Sequence, residues 1–311
     1  MSPMQHLRIA TRRSALALWQ ANHVASLLRT AHPGVEVSLV PIVTTGDRIQ
    51  DRPLSEVGGK GLFIKELEVA MAAGEAELAV HSMKDVPAAL PDGFVIAAVL
   101  PRADPRDAFL SRRFPNFAAL PQGARVGTSS QRRQSILRAR RPDLTIIPLR
   151  GNVDTRLRKL DAGEFDAIIL AAAGLIRLGL GERITEHLDT DLSLPAVGQG
   201  IVGIECRDDP AILRWLAPLD HAPTLECLKA ERALAARLEG SCTSPIAAFA
   251  QHVAGAMEVQ GYVGAPDGSR SFSDRVTGPA SQAAALGTAL ADRLLAAGAG
   301  ELLAALREKA G

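Results

Sequence analysis

The stretch Glu77-Leu78-Ala79-Val80-His81-Ser82-Met83-Lys84-Asp85-Val86-Pro87 decides the fold. Its apolar run, Leu78 to Val80, reads as a buried strand, and Pro87 bars the chain from continuing as a central strand. Lys84 and Asp85 therefore fall where a strand ends. In an open α/β sheet, ligands bind in the crevice outside the carboxyl ends of the strands. Taken alone, a Lys beside an Asp also reads as a solvated pair.

Outward from this stretch, the first hundred residues alternate strand and helix. Leu7 to Ala10 and Val35 to Val43 read as strands, Ser14 to Arg29 and Gly61 to Ala73 as helices. This alternation implies a mostly parallel sheet. It restarts after Pro101 to Pro105, with strands at Arg125–Thr128, Leu144–Pro148 and Ala167–Leu170 and helices at Gln131–Arg140 and Val153–Ala162. Proline-containing stretches at Pro101–Pro105 and Leu194–Gly200 bracket this second α/β unit as hinges. The run Ile201 to Glu205 reads as a strand returning to the first sheet. A last unit begins with a helix from Thr224, and adds a hairpin around Ala265–Gly268 and an Ala/Leu-rich helix near Ala283–Ala297. The expected fold class is α/β with three domains: residues 1–100 plus 201–219, residues 101–200, and a smaller α+β domain over 220–311.

Composition narrows the function. With 311 residues the chain is long enough for two or three domains, and its net charge of +1 gives no global field for nucleic acid. Met1 to Arg13 has no apolar signal core and no stretch approaches bilayer length, which predicts a cytoplasmic protein without membrane contact. The three cysteines, Cys206, Cys227 and Cys242, form no CxxC pair, and HExxH, GxSxG, P-loop and strand-borne GxGxxG motifs are missing. No metal site is expected.

Charge is local instead. Between Arg112 and Lys159 there are eleven Arg and one Lys against only Asp143 and Asp154. Hydroxyls and arginines recur together where strands hand over to helices: Thr11-Arg12-Arg13-Ser14, Thr128-Ser129-Ser130-Gln131-Arg132-Arg133, and Arg150-Gly151-Asn152-Val153-Asp154-Thr155-Arg156. Helix N-termini offer free N–H groups to anions, and the planar arginine fork matches a carboxylate. Ser and Thr at such junctions also serve simply as N-caps. Aromatic residues are 4% of the chain, and none lies within Thr128–Arg141, so stacking platforms for single-stranded nucleic acid are missing there. Small polycarboxylates are the favoured ligand. Cys206 and Cys227 read as small core residues, whereas Cys242, after Gly240 as a helix C-cap, falls on a loop.

Six motifs in order carry a resemblance: Val57-Gly-Gly-Lys-Gly-Leu-Phe63, His81-Ser-Met-Lys-Asp-Val-Pro87, Gly127-Thr-Ser-Ser-Gln-Arg-Arg133, Leu149-Arg-Gly-Asn-Val-Asp-Thr-Arg156, Leu194-Pro-Ala-Val-Gly-Gln-Gly200 and Glu239-Gly-Ser-Cys242. Together they resemble the hydroxymethylbilane synthase (porphobilinogen deaminase) family from about Leu7 to Pro245. The resemblance implies two lobes like those of periplasmic binding proteins and a third domain. It implies a monomeric transferase of tetrapyrrole biosynthesis that joins four porphobilinogen units, losing ammonia each time, on a covalent dipyrromethane cofactor. Carried onto this chain, Cys242 holds the cofactor by a thioether and Asp85 is the catalytic carboxylate. Ser82, Lys84, Thr128, Ser129, Arg132 and Arg133 bind the cofactor, while Arg12, Ser14, Arg150, Arg156 and Gln199 line the substrate site. Two departures stand out: Ser241 replaces a usual Gly before the cysteine, and Ser55-Glu56 replaces basic residues in what reads as a mobile loop. The alternatives are a non-catalytic two-lobed anion binder, which has no use for Cys242, and a duplex-binding face over Arg112–Lys159.

Overall fold

The computed structural model describes residues 6–48, 61–240 and 244–308. Ser55 to Lys60 and Ser241, Cys242 and Thr243 lie outside the described residues. The described strands open with β1 (His6–Arg12), β2 (Glu36–Ile42), β3 (Leu78–Ser82) and β4 (Phe94–Val99). They continue with β5 (Asp107–Leu110), β6 (Arg125–Gly127), β7 (Thr145–Ile147), β8 (Ala167–Ala171) and β9 (Glu186–Leu188). Last come β10 (Val202–Arg207), β11 (Ile246–Val253), β12 (Ala256–Gly264) and β13 (Ser271–Gly278).

Three sheets result, ordered β2-β1-β3-β10-β4, β7-β6-β8-β5-β9 and β11-β12-β13. The two five-stranded sheets share one plan. In each, three strands run parallel, β2-β1-β3 and β7-β6-β8, and one reversed strand pairs antiparallel with β3 or β8. The reversed strand is the piece of chain that has just crossed over from the other sheet: β5 enters the second, and β10 returns to the first. Equivalent bonds seal the crossings, Met83 N–H to Ile201 O and Ala172 N–H to Arg106 O.

Alternation along the strands buries both faces of the first sheet. Leu7, Ile9, Leu78, Val80 and Ile204 meet Ala21, Val24 and Leu28 of the Ala15–Ala31 helix, whereas Ala10 and Ala79 face Leu67 and Met71 of the Lys65–Ala72 helix. Each large apolar side chain so buried contributes about 1.5–3 kcal/mol. The third unit is an antiparallel meander covered by the Ala222–Arg237 and Ala283–Leu294 helices.

Several elements are invisible to the pattern reading: β4, the short β5 and β9, β11, and helices Ala172–Arg177 and Pro210–Leu216. Another difference concerns Gly240. The residue in left-handed conformation at that helix end is Glu239 (φ 53), with Glu239 N–H bonded to Ala236 O and Gly240 N–H to Ala235 O. A Cβ on Gly240 would stand 2.8 Å from Ile246 Cδ1, a side-chain end that can give way. Of the described residues no helix is long and apolar enough to cross a membrane.

Candidate active site

β3 ends in a tight turn, Met83–Asp85, whose geometry is set by glycines opposite it. Gly198 adopts φ +68, and a Cβ on it would stand 2.8 Å from Met83 Cβ; a Cβ on Gly203 would overlap Met83 Sδ. Met83 is thereby wedged inward, and the turn presents Lys84 and Asp85 half-buried on its outer side. Neither side chain makes a hydrogen bond or ion pair among the described residues.

A cavity of about 60 Å³ adjoins the turn, lined by Arg12, Ser14, Phe63, His81, Ser82 and Asp85 among others. Ser14 caps the Ala15–Ala31 helix through Ala17 N–H. Ser82 Oγ accepts a 2.9 Å bond from Gln20 Nε2. Arg12 pairs with Asp47, and its guanidinium lies 4.1 Å from the Phe63 ring centroid.

The second sheet supplies cations to the same place. Burial lowers the Lys84 ammonium to about 8; Arg133 and Arg156 push the same way, and Asp85 and Asp107 oppose them. Burial likewise lowers Arg156 to about 10, with Arg133 and Arg150 adding to the effect and Asp85 opposing it. Arg156 Nε donates to Gly151 O at 2.7 Å, while Arg150 Nη1 is buried with no partner among the described residues. Lys84 and Arg156 thus both feel the Asp85 charge, and Arg133 and Arg150 act on Arg156 in turn, an excess of positive charge beside one carboxylate that calls for anions.

Not every expected ligand points into this cluster. Arg132 and Arg133 are buried, and both guanidinium groups are committed to Asp107, at 2.8 Å for Arg132 Nη1 and 2.8 Å for Arg133 Nη2. Gln199 Nε2 (2.9 Å) and Ser193 Oγ (2.8 Å) donate to the same carboxylate. Burial would raise the Asp107 carboxyl, but the charges of Arg132 and Arg133 and their hydrogen bonds outweigh it and hold the group far below the usual range. Ser129 Oγ joins Leu149 N–H and C=O, and Thr128 Oγ1 accepts from Ser130 N–H. Ser130 and Asn152 are N-caps, serving the helices that carry Arg132, Arg133 and Arg156.

Asp107 escaped the sequence reading, although an acidic residue opening the apolar run Ala108-Phe109-Leu110 beside so many arginines is a usable signal. Arg177 escaped it too. From the Ala172–Arg177 helix it donates to Gly200 O at 2.7 Å and stands 6.0 Å from the Trp19 ring of the first lobe. At the hinge, Arg102 Nη1 meets Glu231 Oε1 at 2.5 Å, and Glu231 also accepts from Gly198 N–H and Ala250 N–H. Burial pushes the Cys206 thiol up to about 12 and that of Cys227 up to about 11, so neither offers a thiolate at neutral pH. Cys242 lies outside the described residues.

Two like α/β sheets, with Asp85 and Lys84 on a turn of one and Arg156 of the other beside them, form a cleft of the kind in which anionic ligands are held. Comparison gives the family. Residues 7–214 match the family model for the porphobilinogen deaminase, dipyrromethane cofactor binding domain, and residues 225–296 match the porphobilinogen deaminase C-terminal domain. The porphobilinogen deaminase of Thiobacillus denitrificans is 55% identical over 97% of this chain and 99% of its own length. That of Methylobacillus flagellatus is 54% identical over 98% of this chain and 99% of its own length. A periplasmic substrate-binding protein of an ABC transporter from Coxiella burnetii matches 70% of this chain and 94% of its own at 13% identity, with a TM-score of 0.44. The chain belongs to the porphobilinogen deaminase family.

Proposed function

We infer that the cleft around Asp85 is where this chain carries out the transferase reaction of its family, the stepwise condensation of four porphobilinogen molecules with loss of ammonia. The carrying observation is that Lys84 and Arg156 both interact with the Asp85 carboxylate, and that Arg150, whose charge acts on Arg156, has Nη1 buried without a partner among the described residues. Porphobilinogen carries two carboxylates, and every condensation adds two more, so a single anion site would not suffice.

The family's dipyrromethane cofactor fits these residues, because the unpartnered Arg150 nitrogen and the unpaired Lys84 leave donors for its carboxylates. When bound, it supplies the pyrrole end on which the chain is built. In our reading Cys242 forms the thioether, and Lys84, Ser82, Thr128 and Ser129 hold the cofactor's acid groups. Arg12, Ser14, Arg150 and Arg156 receive the incoming substrate. Arg132, Arg133 and Gln199 act mainly through Asp107, which fixes the helix carrying both arginines to the hinge. Asp85 stabilises the delocalised cation left when ammonia departs from an aminomethylpyrrole.

The return of β10 to the first sheet supports domains over 1–100 plus 201–219, 101–200 and 220–311. We further propose that the protein is a cytoplasmic monomer that does not bind nucleic acid. Intact mass of the wild type beside Cys242→Ser tests the assignment. An excess of two linked pyrrole units, present in the first and absent in the second, supports it; an unmodified wild type from porphobilinogen-producing cells, or an excess retained by the variant, contradicts it.

A further inference from the structure

His81 immediately precedes Ser82 on β3 and lines the cavity that Asp85, Arg12 and Ser14 share. Among the described histidines it alone is buried, at 6% exposure. Its Nε2 lies 2.8 Å from Oε2 of Glu205, a β10 residue with no exposed surface. Strand register explains the meeting. Glu205 pairs with Ala79 and His81 stands two residues further along, so both side chains rise from one face of the sheet. The contact is close but off line, and Nε2 and both Glu205 oxygens have no hydrogen-bond partner among the described residues. Burying three polar atoms in this way is unfavourable, and folds that keep such groups commonly use them.

Other charges face the pair from each neighbouring element. Glu68 looks on from the Lys65–Ala72 helix; burial and the Glu205 charge raise its carboxyl while His81 lowers it. Arg232 stands on the Ala222–Arg237 helix, lowered by burial and raised by Glu205. Asp85 and Arg12 face it across the cavity.

Building on the tetrapyrrole reading above, we propose that His81, oriented by Glu205, carries the proton of the condensation while Asp85 holds the cation. The substrate's ammonium group leaves as ammonia with the C–N bonding pair. The ring carbon that forms the new C–C bond releases one proton, which neutral His81 accepts at Nδ1 and hands to the ammonia. Ammonium departs, and the imidazole returns to its starting state with no net proton gained. A small turn of the ring aligns Nε2–H with Glu205 Oε2, 2.8 Å away, and that bond keeps the Nδ1 lone pair free for this task. Glu205 is a positioning residue.

Full-length His81→Gln and Glu205→Gln test the proposal beside the wild type and Asp85→Asn. The readouts are kcat and KM for porphobilinogen against pH, urea unfolding, and ¹⁵N spectra of the histidine rings without substrate. His81→Gln should lower kcat by about 10²–10⁴-fold with KM nearly unchanged and lose the acid limb of the kcat profile. Glu205→Gln should lower kcat by about tenfold and move the His81 ring from a single Nε2–H tautomer toward a mixture. If His81→Gln does not fold, the nearly isosteric Glu205→Gln decides by the same two readouts. Folded variants with wild-type kcat and an unmoved pH profile overturn the proposal and leave the pair a structural one. A wild type that consumes no porphobilinogen overturns the tetrapyrrole reading along with it, whereas an active wild type with an inactive Asp85→Asn and unaffected His81 variants overturns only the role of His81.

Discussion

The two five-stranded sheets have the same strand order and nearly opposite chemistry. In the first, β3 ends in the Met83–Asp85 turn and sets a carboxylate at the cleft; in the second, β8 runs straight into Ala172-Ala173-Gly174-Leu175, an apolar helix start. That helix docks against the first lobe: a Cβ on Gly174 would stand 3.5 Å from Leu16 Cδ2, and Arg177 lies 6.0 Å from the Trp19 ring. The reversed strands differ as well. β5 opens with the buried Asp107, which binds Arg132 and Arg133, while the equivalent start of β10 is the apolar Val202. On the proposed function one architecture serves twice: the first copy presents the reacting group, and the second presents cations for the carboxylates.

The sharpest way to break the contrast is at Asp107. Asp107→Asn leaves two buried guanidinium groups with an uncompensated charge, so stability should fall by about 3–5 kcal/mol in urea unfolding. A loss below about 1 kcal/mol would mean the second sheet does not depend on this carboxylate. Next comes Asp85→Glu, which keeps the charge but displaces it by one methylene. Turnover should drop by about a hundredfold with the unfolding midpoint unchanged, because misplacement of roughly 1 Å has that effect.

Arg150→Ala should act on binding, raising KM by about 1.5–3 kcal/mol equivalent, read from initial rates against substrate concentration. The smallest effect concerns Lys84. Its ammonium, lowered by burial to about 8, loses charge as pH rises through that value, so carboxylate affinity should weaken above pH 8 and Lys84→Met should show no such inflection. The folded pKa is below the unfolded one, so between about 8 and 10.5 the unfolded chain binds the extra proton and this group's contribution to stability rises with pH. Urea titrations of the apoprotein across that range check the sign.

Long, periodic segments were legible in the sequence. The Gln131–Arg140 helix falls where its pattern puts it, and Ser14 caps the first helix as its position suggests. The return of Ile201–Glu205 to the first sheet was also readable, because an apolar run after a hinge needs a sheet to join. What escaped was short or determined by contacts distant in sequence. β5 and β9 have only 4 and 3 residues, too few for a period to register. Gly240 looked like a left-handed cap, yet the left-handed residue is Glu239, one position earlier, which no local pattern announces.

At the site, residue types were legible and their partners were not. Asp85 and the arginines stood out by motif, but nothing local to Arg132 and Arg133 announces that Asp107, 25 and 26 residues away, engages both. His81 and Glu205 meet only through antiparallel register across 124 positions of chain.

The division of labour is tested most directly by the rate of ammonia release from porphobilinogen, measured against substrate concentration for Asp85→Asn and Arg150→Ala beside the wild type. The account predicts that Asp85→Asn loses about 10²–10⁴-fold in kcat with KM nearly unchanged, and that Arg150→Ala does the reverse. An Asp85→Asn protein with wild-type kcat would contradict it.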